Sequence, residues 1–184
     1  FDVRVEYAKA GPDDIHVRIT VTNRGPDAAP LHLLPTLWFR NSWDWGRQGE
    51  SYWPKPHLRR LGPGAIEADH ASLGEFRLEF EPGPDGRYPT LLFTENATNA
   101  QRLWGMPNAG PYVKDAFHDY VIHGNNAAVN PAWTGTKAAG HYRLQLEAGA
   151  TVTLRLRLHD VATPAPAGPP FGPAFDALMA TRKA

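Results

Sequence analysis

Tyr142-Arg143-Leu144-Gln145-Leu146-Glu147-Ala148-Gly149-Ala150-Thr151-Val152-Thr153-Leu154-Arg155-Leu156-Arg157-Leu158 is the stretch that decides the fold. Tyr142, Leu144 and Leu146 recur at every second position, and so do Val152, Leu154, Leu156 and Leu158. That period places each apolar set on one face of a strand. Gly149 lies between the two runs, where the chain must turn. The stretch reads as a strand, a turn and a return strand, with Arg143, Arg155 and Arg157 on the alternate positions directed to solvent.

The same pattern recurs outward from there. Val3, Val5 and Tyr7 alternate with Arg4 and Glu6, and Ile15, Val17, Ile19 and Val21 alternate with His16, Arg18, Thr20 and Thr22. Both read as half-buried strands, and the short turn cluster Ala10-Gly11-Pro12-Asp13-Asp14 between them predicts an antiparallel hairpin. A third strand is expected over Leu31 to Phe39, with Pro35 marking an edge position or a bulge. Short runs at Ala65 to Ala68, Phe76 to Phe80 and Thr90 to Thr94 each have room for one strand. Eighteen Pro and 17 Gly scattered among these runs leave no place for a long helix. The fold class that follows is mainly β, an antiparallel β-sandwich over residues 1–162, with a long irregular loop and a short C-terminal helix.

Composition narrows the function. Lys plus Arg equals Asp plus Glu, 19 against 19, so no long-range field favours nucleic acid or an anionic membrane. The chain has no cysteine, which excludes disulfides, zinc thiolates and a cysteine nucleophile. No apolar run approaches the roughly 20 residues of a membrane helix. Phe1 opens directly into a strand pattern without a charged-then-apolar leader, and the expectation is a cytoplasmic protein. No Gly-x-Ser-x-Gly elbow, Gly-x-Gly-x-x-Gly or phosphate loop occurs. No cofactor is expected.

Two segments break the strand pattern. A Trp-rich loop from about Asn41 to His57 carries Trp43, Trp45 and Trp53 close behind Trp38. Aromatic faces beside Asn41, Asp44 and Tyr52 suit a sugar site, and suit equally a surface that packs on another domain. The second segment, Glu95 to Lys137, is long for a loop in a compact domain, and its aromatic content predicts order, with a helical turn near Val113 to Val121. Glu95, Asp115 and Asp119 are carboxylates of the kind that pair in glycoside hydrolysis. They are also able to hold an irregular loop through backbone amides, Lys114 or Lys137. His118 and His123 flank Asp119 at a spacing that shares neither a helix face nor a strand face, so no metal site is expected.

The run Phe1-Asp2-Val3 through Glu6-Tyr7-Ala8-Lys9 and the stretch Leu33-Leu34-Pro35-Thr36-Leu37-Trp38-Phe39-Arg40-Asn41 resemble bacterial proteins similar to glycoside hydrolase family 63. The long segment carries the same resemblance, in Leu92-Phe93-Thr94-Glu95-Asn96, Asn99, Arg102-Leu103, Pro111-Tyr112-Val113-Lys114-Asp115, Asp119-Tyr120-Val121, His123-Gly124, Val129-Asn130-Pro131 and Gly135-Thr136-Lys137. What it implies is a glucosidase-like or mannosylglycerate hydrolase-like parent, with a galactose-mutarotase-like β-supersandwich preceding an (α/α)6 catalytic barrel. This chain resembles part of the supersandwich, so no catalytic residue is expected in it. The barrel of the same parent chain is the expected partner, with carbohydrate as a further one. Residues 163–184 then read as a linker and the start of a helix leading to that barrel. The site or interface residues expected on this basis are Trp43, Trp45, Trp53, Glu95, Asn96, Asn99, Asp115, Asp119, His123, Asn130 and Lys137. The alternative is a freestanding carbohydrate-binding module using the Trp38–Trp53 cluster.

Overall fold

The computed structural model of the chain describes residues 1–163 and 169–181. β1 (Asp2–Gly11) and β2 (Asp14–Thr22) form the expected antiparallel hairpin, with Val3 opposite Val21 and Val5 opposite Ile19. The run expected over Leu31 to Phe39 is divided into β3 (Ala29–Leu33) and β4 (Thr36–Trp38), both paired with β10 (Lys137–Leu146). Pro35 sits at the break, where its carbonyl accepts from the Gly140 N–H at 3.1 Å. β5 (His57–Gly62), β6 (Ala65–His70) and β7 (Gly74–Phe80) form a meander. β8 (Thr90–Thr94) pairs with β10, β9 (Thr134–Gly135) with β5, and β11 (Thr151–Asp160) with β2 and β7.

The result is two antiparallel sheets in an open sandwich. The larger has the order β1-β2-β11-β7-β6-β5-β9, and the smaller is built on β10, with β3 and β4 along one edge and β8 on the other. One core joins them. Ile19, Val21, Ile66, Leu78, Phe80, Leu154 and Leu156 of the large sheet pack with Phe93, Tyr142, Leu144 and Leu146 of the small one. Gly140 is required there, since a Cβ would overlap the ring of Phe80.

The stretch that decides the fold does so differently from its reading as a strand and return strand. β10 and β11 do not pair; they belong to opposite sheets and face each other across the core. Alternation is identical whether the second strand returns beside the first or crosses to the facing sheet. The corner is held by buried Asn23, whose Nδ2 donates to the Leu146 carbonyl at 3.0 Å, while its N–H donates to Ala150 and its carbonyl accepts from Gly149.

Each sheet carries a helix on its outer face. α1 (Ala100–Trp104) and α2 (Ala116–His123) lie in the long excursion, α2 near the expected turn. Phe117 and Tyr120 of α2 pack on Leu92 and Ala139 of the small sheet. α3 (Pro173–Thr181) closes the other side. Its apolar side is packed within this chain: Phe175 and Met179 are buried against Ala8 of β1, and the Phe175 ring stacks on His16 at 4.7 Å. Of the expected linker and helix, residues 164–168 and 182–184 lie outside the described residues.

The solvent-facing reading of Arg157 is corrected. Its side chain is 4% exposed and bonded in a fork to Asp14, at 2.9 Å for each bond. Arg155 bridges Glu81 and Asp176 of α3. Arg143 alone of the three is exposed. The reading of β1 also changes: Val3, Val5 and Tyr7 point to the inner side of the large sheet but remain exposed, lining an apolar groove of about 400 Å³ opposite Leu33 to Leu37. No helix of the described residues is long and apolar enough to cross a membrane.

Candidate functional site

Lys137, the first residue of β10, stands opposite both Trp38, the last of β4, and Thr94, the last of β8. The loop after β4 and the excursion after β8 therefore leave the small sheet at one end. That register brings the two irregular segments together although they are far apart in sequence.

A web of hydrogen bonds joins them. Asn41 Nδ2 donates to Asp44 at 2.7 Å and to the Asn96 carbonyl at 3.1 Å. Asn96 Nδ2 donates to the Phe39 carbonyl and its N–H to Thr136 Oγ1, both at 2.8 Å. The Thr136 hydroxyl in turn donates to Glu95 Oε2 at 2.7 Å, and Lys55 reaches Glu95 Oε1 at 2.9 Å. Glu95 thus has an oxygen committed to each loop. Thr136 is fully buried; it stood in the Gly135-Thr136-Lys137 motif but not among the expected site residues.

Within the excursion Asn99 is the organiser. Its side chain caps α1 by accepting from the Arg102 N–H at 3.1 Å, and its Nδ2 donates to Asp115 at the same distance. Arg102 adds an ion pair to Asp115 at 2.9 Å. Burial alone would raise the Asp115 carboxyl, but the bonds from Arg102 and Asn99 outweigh it and hold the group below the usual carboxylate range. Lys137 donates to the Lys114 carbonyl and lies over the Phe117 ring at 4.9 Å. Burial pushes its ammonium down, Asp115 opposes this, and Lys114 adds to it.

The other expected residues are distributed differently. Asp119 and His123 form an exposed pair at 3.2 Å, one turn apart on α2. Asn130 shapes a turn: its Nδ2 donates to the Thr134 carbonyl at 2.8 Å, and its Oδ1 accepts from the Ala132 N–H at 3.0 Å. The three carboxylates hold the side chains of Lys55, Thr136, Arg102, Asn99 and His123; Asp115 also takes a backbone hydrogen bond and acts on Lys137 through its charge, as the sequence suggested. Among the described residues no three His, Asp or Glu side chains gather in a way that would hold a metal ion.

Trp43 and Trp45 bracket a single 3-10 turn. Trp45 contacts Tyr52 at 6.1 Å between ring centroids, and Arg40 lies over its face at 5.2 Å. Trp43 is half-buried and Trp53 is at the margin of exposure. The excursion itself presents Leu103, Trp104, Met106 and Ile122, which are 58%, 66%, 61% and 69% exposed. Of these, only Leu103 stood in a motif that drew notice in the sequence.

The fold and this loop end define an open antiparallel β-sandwich domain with its irregular segments gathered at one end. No family model matches the chain. It is similar to the Uncharacterized protein YMR196W of Saccharomyces cerevisiae, with 34% identity over 180 aligned residues that cover 85% of this chain. The chain spans 16% of the length of that yeast relative.

Proposed function

We propose that this chain is the non-catalytic sandwich domain of a larger glycoside hydrolase of the family 63-like type, and that its loop end packs on a separate (α/α)6 barrel and shapes the rim of the sugar site there. One observation carries the reading: the Trp-rich loop and the excursion are laced together at one end, and the excursion leaves Leu103, Trp104, Met106 and Ile122 in solvent. Large exposed apolar side chains within one ordered segment are the mark of a surface that is covered in the assembled protein. The length of the yeast relative supports a parent with room for a second domain. Binding of sugar by the Trp cluster is less well supported, because Trp43 is half-buried and Trp45 is engaged by both Arg40 and Tyr52.

The test is to produce the 184-residue chain and the remainder of the parent as two polypeptides. The chain alone should leave aryl α-glucosides intact, and the two pieces should co-purify and turn them over. Trp104→Asp with Ile122→Asp should abolish co-purification. Hydrolysis by the repurified chain alone, or association that ignores the double substitution, would refute the proposal.

A further inference from the structure

Away from the loop web, the connection over residues 81–89 and the start of β8 are flanked by two depressions, one of about 640 Å³ against β10 and the start of β11 and one of about 500 Å³ against β5 and Trp133. Arg87, Tyr88, Pro89 and Thr90 line both and are the wall that the two depressions share. Two exposed aromatic side chains line the smaller one, Trp133 at 49% and Tyr88 at 50% exposure. The Tyr88 ring is held in place against the α-carbon of Gly64, where any side chain would overlap it.

Exposed Arg60 and Arg87 line the smaller depression and exposed Arg87 and Arg143 the larger, and none of the three has a carboxylate partner among the described residues. Arg60 lies over the Trp133 ring at 4.7 Å and donates from Nε to the Gly62 carbonyl. The carboxylate on this wall, Asp85, accepts from the Arg87 backbone N–H at 3.0 Å. In a chain whose formal charge is zero, this is a local excess of cation.

Trp133 is also built into place. Among the described residues it is one of two non-glycine residues with positive φ, at 54°, a conformation that costs energy and persists where its surroundings impose it. The Asn130 turn imposes it: the Trp133 N–H donates to the Asn130 carbonyl at 3.2 Å, and its own carbonyl accepts from the Arg60 N–H at 3.0 Å. Strained positions of this kind gather at binding sites.

We propose that the two depressions together bind an anionic saccharide, a run of uronic-acid sugars laid across the wall they share. The Trp133 and Tyr88 rings take the flat C–H faces of the pyranoses, and Arg60, Arg87 and Arg143 pair with the ring carboxylates in planar forks. A uronate repeats a flat apolar face and a carboxylate on every residue, which is the pairing this wall offers. An acidic peptide supplies the carboxylates on flexible stems without the faces. The assignment does not rest on the domain-docking reading and is measured separately from it.

The experiment titrates the full chain with tetragalacturonate, maltotetraose and polyglutamate, followed by tryptophan fluorescence and calorimetry at two salt concentrations. Tetragalacturonate should bind at least about tenfold more tightly than the neutral tetraose, and weaken as salt rises. Trp133→Ala and Arg87→Gln should each weaken it by about tenfold, while Trp133→Phe retains most of the affinity. Arg143→Gln, at an exposed position, carries the test if Trp133→Ala does not fold. Equal binding of maltotetraose, binding of polyglutamate that ignores Trp133→Ala, absence of tetragalacturonate binding, or variants that bind like the parent would each overturn the proposal.

Discussion

Replacing Asp14 with Ala strands the Arg157 guanidinium in a place where water hardly reaches it. The side chains are 11% and 4% exposed, and both fork bonds of 2.9 Å are lost at once. Breaking one side of a buried ion pair costs about 3–5 kcal/mol, because the remaining charge has no partner. For a domain of this size each kcal/mol lowers Tm by about 2–4 °C, so the variant should melt roughly 10 °C or more below the parent. Arg157→Met should cost a similar amount, since it leaves the Asp14 carboxylate with only His16 at 3.3 Å. Replacing both, Asp14→Leu with Arg157→Met, should recover much of the loss, because a packed apolar pair of similar volume is about as stable as the ion pair. Urea unfolding of the four proteins gives the coupling directly, expected at about 2 kcal/mol or more. Acid should show the same contact. Burial raises the Asp14 carboxyl, but the Arg157 bonds and charge outweigh it and the group sits below its ordinary 3.8. A carboxyl depressed in the folded state lends stability that is complete above 3.8 and is lost as pH falls below it. Asp14→Asn should remove that part of the acid limb. Single variants that each cost under about 1 kcal/mol, with an additive double, would refute the claim that the pair is buried and coupled.

Two further outcomes are expected. His141 is buried beside His32, with ring nitrogens 2.7 Å apart, and burial, then His32, then Arg143 push its imidazole down to about 4. Its folded value lies below the ordinary 6.5, so its stabilising contribution is whole above 6.5 and is lost as pH falls toward about 4, by up to about 3 kcal/mol. Stability against pH should therefore flatten over that window in His141→Leu, and an unchanged slope would contradict the assignment. Gly140→Ala should destabilise by about 1–3 kcal/mol through overlap with Phe80, with partial rescue by Phe80→Leu; a neutral Gly140→Ala would show that the two sheets move apart freely.

Strand content was legible wherever apolar residues alternate, in β1, β2, β6, β7, β10 and β11, and in β8 from its short continuous run Leu91-Leu92-Phe93. β5 was missed because its interior face is carried by Leu58, while Arg59, Arg60 and Leu61 stay outside, so no alternation shows. The two loops were legible as unusual by composition. Their meeting was not, since it depends on Lys137 pairing with Trp38 on one side and Thr94 on the other. The expected residues Glu95, Asn96, Asn99 and Asp115 form the two hydrogen-bonded knots of this region, whereas the equal partners Lys55 and Thr136 were not among them, Thr136 although it stood in the Gly135-Thr136-Lys137 motif.

The two misread faces of the large sheet share one cause. Alternation tells which residues share a face, and it is silent on what lies over that face. The inner side of β1 is apolar and exposed, whereas the outer side of β2 and β11, which carries Asp14, His16, Arg155 and Arg157, is polar and covered by α3. A short helix is able to cover such a surface because the charges are matched before it arrives: Arg157 with Asp14 inside the sheet, and Arg155 with Glu81. α3 then adds Asp176 to the Arg155 fork and lays Phe175 flat on His16, so its own few apolar residues need only fill the space that remains. Polarity in a strand therefore predicts exposure only where its charges have no partners within the sheet. Arg157 and Asp14, adjacent in space though distant in sequence, are the case in which they do.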